Sequence, residues 1–261
     1  MSGKLYIVAT PIGNLEDITL RAIKILSEVD IILAEDTRVT SKLVTTLNLE
    51  RRTKNKPKLV SYHHHSGFSK KNRILKDLLE GKNIALVTDA GTPGISDPGN
   101  ELIDFLYENC RVTPFTSLEN ASAGSNPAKQ GDSLQMPFEI IPIPGPSSLS
   151  AAISICGFDM TRFLFLGFWP KKKVSKLIKL VKLTKVAVVF FDSPHRIRKT
   201  LARLEVDLGG DRRVFVGREL TKMYEETFRG KISDLPAGKA GVRSQMESSD
   251  MRGEVVVVVE K

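Results

Sequence analysis

Eleven residues, Asp89-Ala90-Gly91-Thr92-Pro93-Gly94-Ile95-Ser96-Asp97-Pro98-Gly99, form the chain's most chemically suggestive stretch. They follow, after Thr88, on Ile84-Ala85-Leu86-Val87, an apolar run of strand length. In open α/β sheets, ligands bind outside the carboxyl ends of strands. Three glycines let the backbone come close to a ligand, and two prolines hold the loop's shape. Asp89, at the strand's end, offers a carboxylate to a ribose hydroxyl or an amino group. Pro98 has the fixed φ that suits the first position of a following helix. Ordinary strand-to-helix connections run about two to six residues, so this loop is long for a mere link.

Other strand ends carry reactive groups too. Glu35-Asp36-Thr37-Arg38 closes the run Ile31–Ala34 with two carboxylates and a guanidinium. That set suits a site, and it equally suits a helix N-cap by Asp36 or Thr37 with a surface ion pair. Ala9-Thr10-Pro11-Ile12-Gly13-Asn14 and Pro144-Gly145-Pro146-Ser147-Ser148 are two further loops of the same kind. His63, His64 and His65 invite a metal reading. In a strand they alternate faces, so only His63 and His65 converge, and no further ligand stands at a fitting spacing. A solvated or RNA-facing cluster is the expectation, with no metal site. Asp192-Ser193-Pro194-His195-Arg196 and Arg218-Glu219-Leu220-Thr221-Lys222 end strands in the second half. Lys171, Lys172 and Lys173 follow Phe165-Leu166-Gly167-Phe168-Trp169-Pro170. Aromatics beside lysines suit RNA, whose bases stack and whose phosphates pair with cations; a plain solvated face is the alternative.

The elements that must position these groups alternate. Strand patterns at 5–9, 30–34, 58–62, 84–88 and 139–143 alternate with helical patterns at 18–26, 42–49, 72–80, 101–109 and 147–156. This is the pattern of a mostly parallel sheet with helices on its faces. The second half changes character. Strands at 163–168, 186–191, 214–217, 224–229 and 254–260 accompany helices at 176–183 and 196–208, and a mixed sheet is expected. The expectation is therefore two α/β domains, 1–158 and 159–261. Residues 113–137 read as a polar insertion and 236–250 as a second polar loop.

Composition narrows the class. No apolar run reaches membrane-spanning length, and Met1-Ser2-Gly3-Lys4 does not read as a signal peptide. Cys110 and Cys156 make no disulfide framework and suit a reducing cytoplasm. A net charge of +9 favours a polyanionic partner. The chain has no Walker-type loop, no Gly-x-Gly-x-x-Gly after its first strand, and neither Cys-x-x-Cys nor His-Glu-x-x-His. Nucleotide-triphosphate, ordinary Rossmann and zinc chemistry are not supported.

Taken in order, Ala9–Leu15 with Leu20-Arg21-Ala22, Ala34–Arg38, Asp89–Gly99, Pro144–Ser147, Gly167–Pro170, Ser193–Arg196 and Arg218–Lys222 resemble the tetrapyrrole methylase-like S-adenosylmethionine methyltransferases. Pro11-Ile12-Gly13-Asn14 and Glu219-Leu220-Thr221-Lys222 point to the branch that acts on ribosomal RNA rather than on macrocycles. The resemblance covers nearly the whole chain. It implies 2'-O-methylation of a cytidine ribose in the decoding region of 16S ribosomal RNA within the small subunit. It also implies a homodimer, and S-adenosylmethionine bound in the cleft between two domains. Asp89, Gly91, Gly94, Ile95 and Ser96 would line the cofactor, with Pro11, Ser147 and Phe168 as neighbours. Glu35 and Asp36 are the candidates for a general base. Arg38, His63, His65, Lys171, Lys172, His195, Arg196 and Lys222 are the candidates for RNA contact. The chain departs from the family at Asp192, where Glu is usual, and in the segments 113–137 and 236–250. A small-molecule tetrapyrrole methyltransferase and a non-catalytic RNA-binding protein are the competing readings.

Overall fold

The computed structural model describes residues 2–49, 56–110, 136–235 and 253–261. Of the two expected loop segments, 113–135 and all of 236–250 lie outside these. The elements in chain order are β1 (Lys4–Val8), α1 (Leu20–Glu28), β2 (Ile31–Ala34), α2 (Thr37–Thr46), β3 (Lys58–Ser61), α3 (Phe68–Leu79), β4 (Ile84–Val87), α4 (Asn100–Asn109) and β5 (Glu139–Ile143). They continue with α5 (Ser148–Cys156), β6 (Phe163–Phe168), α6 (Val174–Leu183), β7 (Ala187–Asp192), α7 (Ile197–Leu208), β8 (Arg213–Arg218), β9 (Glu226–Lys231) and β10 (Val255–Val259).

The contacts divide the chain into two compact units, one of residues 1–9 and 19–144, the other of 10–18 and 145–261. The first holds a five-stranded parallel sheet in the order β3-β2-β4-β1-β5. Every residue of β2 and β4 is buried, as befits strands covered on both faces. On one face Leu5, Leu33, Ile84 and Leu86 pack with Ile74 and Leu78 of α3 and Leu102 and Leu106 of α4.

The second unit's sheet runs β6-β7-β10-β8-β9. β6 and β7 are parallel; the β7–β10, β10–β8 and β8–β9 pairs are antiparallel. The mixed sheet read from the sequence is thus present. Five successive valines make β10 the central strand. Val255, Val257 and Val259 enter the core with α6 and α7, while Val256 and Val258 face the core with α5, as a period of two requires. That second core explains why α5 groups with the second unit rather than with 1–158. Ala152 and Cys156 bury themselves beside Val256 and Val258. In the contact division the chain passes between the units at 144/145, where the sequence reading has 158/159.

Two helix starts also differ from the periodic reading. α2 opens at Thr37 rather than near residue 42, because the Asp36 side chain caps it by accepting from the Arg38 N–H at 2.8 Å. α4 opens at Asn100, after Gly99 at φ 144°, which is not helical backbone. Pro98 therefore precedes the helix instead of starting it.

Candidate functional site

Strand order decides which loops meet. β2 leads on to β3 at one edge of the parallel sheet, and β4 leads on to β5 at the other. Their carboxyl ends are adjacent while the chain departs in opposite directions, which is the switch-point arrangement that opens a crevice in such sheets. Glu35 and Asp36 leave β2 there, and Asp89 leaves β4. The Asp36 backbone N–H donates to Asp89 Oδ1 at 3.0 Å, so residues 53 apart in sequence form one group.

The three carboxylates have different circumstances. Asp36 is committed. It caps α2, and Arg38 binds its oxygens at 2.6, 3.0 and 3.2 Å. Those bonds hold its carboxyl at about 2. So strongly acidic a group is a poor proton acceptor, and of the two base candidates the geometry favours Glu35. Glu35 is half-buried and forms no salt bridge among the described residues. Burial pushes its pKa up and the Asp89 carboxylate pushes further, while a hydrogen bond from the Asp89 backbone, then His64 and His63, pull the other way. Asp89 is exposed, yet enough protein surrounds its carboxyl for burial to raise it against the Asp36 N–H.

His63 and His65 sit in a turn after β3, not in a strand. The His65 N–H donates to His63 Nδ1 at 3.2 Å, and the rings meet edge-on at 6.1 Å. Among the described residues no His, Cys, Asp or Glu cluster is arranged to hold a metal.

The loop after Asp89 departs repeatedly from ordinary backbone. Gly91, Gly94 and Ser96 have φ values of 83°, 86° and 64°. A non-glycine in the left-handed region is strained, which makes Ser96 the residue to explain. Asn100 Nδ2 donates to the Gly94 carbonyl at 3.0 Å, and a Cβ on Gly94 would lie 2.5 Å from Asn100 Oδ1. Asn100 thus clamps the loop's middle. Sequence reading missed it, although an Asn directly after a Pro-Gly turn was the available signal.

In the second unit, three predicted site residues prove to be tied down. Ser147 caps α5. Lys222 Nζ pairs with Glu219 Oε1 at 2.8 Å, and its stem lies where a Cβ on Gly13 would be, at 2.2 Å. Glu219, at φ 51°, accepts from the Glu254 N–H at 3.2 Å. Lys222 therefore fastens the loop that contains buried Pro11, and its ammonium has an acidic partner rather than being free for phosphate. Arg196 likewise pairs with Asp192 Oδ1 at 2.7 Å and donates to the Trp169 carbonyl at 3.1 Å. Thr200 Oγ1 and the Ser193 N–H complete the Asp192 set at 2.5 and 2.7 Å. His195, Phe168, Lys171 and Lys172 are exposed, and Phe168 stands 5.4 Å from the Phe191 ring.

A parallel sheet with carboxylates gathered at its switch point, followed by a mixed sheet, defines a class. The chain belongs to the tetrapyrrole (corrin/porphyrin) methylase family, whose model matches residues 4–236. It is 40% identical over 258 residues to Ribosomal RNA small subunit methyltransferase I of Thermotoga maritima, a match covering 98% of each chain. It is also 40% identical over 260 residues to the protein of that name from Halalkalibacterium halodurans, covering 99% of this chain and 76% of the relative. Among solved structures, a diphthine synthase superposes with TM-score 0.64 at 13% identity, covering 99% of this chain and 90% of that one. A cobalt precorrin-4 methyltransferase gives 0.62 at 20%, covering 98% and 94%. Those two likenesses bear on the fold alone.

The chain is accordingly a methyltransferase with S-adenosylmethionine as methyl donor. This group of carboxylates suits that donor chemically. Glu35 and Asp89 are hydrogen-bond acceptors for hydroxyl and amino groups, and an acidic surround tolerates a sulfonium cation. Among the described residues no helix is long and apolar enough to cross a membrane.

Proposed function

We propose that the chain transfers a methyl group to the 2'-oxygen of a cytidine ribose in the decoding region of 16S ribosomal RNA. The observation that carries the reading is 40% identity, over nearly the full length, to a protein named for methylating small-subunit ribosomal RNA. The bound donor supplies a methyl already activated by its sulfonium. The protein's own task is then to position the acceptor and to receive a proton. Glu35 is the base: its carboxylate takes the 2'-hydroxyl proton as the oxygen becomes methylated. Its raised pKa makes it a stronger proton acceptor than an ordinary surface carboxylate. Asp89 accepts hydrogen bonds from the donor's hydroxyl or amino groups, on a loop shaped by Gly91, Gly94, Ile95 and Ser96. Pro11, Ser147 and Phe168 are proposed as further donor contacts. Arg38, His63, His65, His195, Lys171 and Lys172 hold phosphates flanking the target. Arg196 and Lys222 support this indirectly, by fastening the segments around them.

The same reading makes the assembled small subunit the substrate, the cytoplasm the location and a homodimer the working form. The test supplies labelled S-adenosylmethionine with 30S subunits or with naked 16S RNA, and then digests the RNA with alkali. A 2'-O-methyl blocks cleavage at its own linkage, so label in an alkali-resistant dinucleotide beginning with cytidine is the expected result. Label released in mononucleotides, or no transfer to either RNA, would sink the proposal. Sedimentation of the purified protein checks the dimer.

A further inference from the structure

One stretch of this chain is densely basic. The whole chain carries +9, and the fifteen residues Lys171–Lys185 carry +7 of it, with seven lysines and no acid. The other 246 residues come to +2. On and after α3, by contrast, Arg73 and Lys82 lie against Asp77, and Lys76 against Glu80. None of the seven lysines of this segment has an acidic partner among the described residues, and all seven are exposed.

At its start the pattern works against the helix itself. α6 is anchored by Ile178 and Val181, buried on its opposite face. Its N-cap, Lys173, sits at φ 60° and makes no side-chain cap bond, and its first turn has no acid. Lysines there oppose the positive end of the helix dipole. Lys176, Lys179 and Lys182 follow at intervals of three, where like charges repel. Lys182, in the last turn, suits the dipole; the other choices weaken an isolated helix, and a polyanion lying along it would relieve them.

We infer that the exposed face of α6, Lys176, Lys179 and Lys182 with Lys185 beyond its end, is a docking surface for the RNA phosphate backbone. It continues the contact proposed for Lys171 and Lys172. The inference rests on the RNA reading given above and adds a contact surface to it.

The test compares K176Q/K179Q with K24Q/K42Q, which removes the same charge from two exposed lysines of α1 and α2. Binding of a 16S decoding-region fragment is measured against salt. Each lost phosphate contact lowers the slope of log K on log salt by about 0.7, so the α6 pair should lose about 1.4. That corresponds to about 25-fold weaker binding at 0.1 M salt, fading towards 1 M. The α1/α2 pair should stay near the wild type. Glutamine keeps helix propensity, so the α6 variant's Tm should equal or exceed the wild-type value, with S-adenosylmethionine affinity unchanged. Equal slopes for the two variants would overturn the inference. So would unchanged RNA binding with lost binding to phosphatidylglycerol vesicles, which would make the face a membrane contact. A wild type that neither binds the fragment nor methylates 30S subunits would instead remove the RNA reading, and this surface with it.

Discussion

Carboxylates stand at strand ends in both units, and they are treated in opposite ways. In the second unit Asp192 is fully enclosed, with Arg196, Thr200 and the Ser193 N–H on its oxygens, and Glu219 holds Lys222 and the Glu254 N–H. In the first, Glu35 and Asp89 lie at neighbouring strand ends with no salt bridge among the described residues, and both have raised pKa values. A matched charge buried in protein builds structure, because separating the pair leaves one partner desolvated and alone. An unmatched one costs stability and keeps its lone pairs for a ligand or a proton. Residue type does not distinguish the two uses; the partners do.

The sharpest way to break this contrast is to unmatch a matched site. Asp192→Ala should destabilise the protein by about 3–5 kcal/mol, since it strands the Arg196 guanidinium and the Thr200 hydroxyl. Urea unfolding measures this, and a loss below about 1 kcal/mol would mean that the set is not structural.

Glu35→Gln addresses the opposite case. Turnover should fall at least about 100-fold, with S-adenosylmethionine affinity kept. Folding should be no weaker. A carboxyl with raised pKa is most favourable to the folded state below its ordinary 4.5, and that contribution is lost as pH climbs through the raised value. Glutamine removes the penalty at neutral pH. The wild-type rate should rise with pH along a limb centred above 4.5, and the variant should lack that limb. Asp36 has the reverse sign: its stabilisation is present above 3.8 and is lost as pH falls towards about 2. A Glu35→Gln enzyme with full turnover would return Glu35 to the same structural role as Asp36.

Asp89→Ala should weaken S-adenosylmethionine binding about 10- to 100-fold, the worth of one hydrogen bond to a charged group, as read by calorimetry. The smallest effect belongs to Lys222→Met, which keeps the stem over Gly13 and removes the ion pair. It should cost about 0.5–1 kcal/mol of stability and leave the salt dependence of RNA binding unchanged. A reduced slope would show Lys222 on phosphate after all.

Most of the fold was legible because period and burial are local. β10 is strand-sized and apolar throughout, and β2 and β4 read as continuous apolar runs, so strand type and a covered parallel sheet followed from composition. Helix starts were less legible where a cap or a glycine conformation set them, as at Asp36 and Gly99. For the site, the loop after β4 and the dipeptide Glu35-Asp36 stood out by residue type. Which carboxylate Arg38 would take did not, because it stands two positions from one and three from the other, within side-chain reach of either.

By itself, then, the sequence determined the alternating elements, the glycine-rich loop, the local excess of lysine and the family. Each depends on residues a few positions apart. Tertiary structure alone decided that Asp36 meets Asp89 across 53 residues, that α5 belongs with the second sheet, and that Arg196 also reaches the Trp169 carbonyl. Those outcomes depend on strand order and on side chains competing for a few partners in space. Periodicity along a chain carries no information about either.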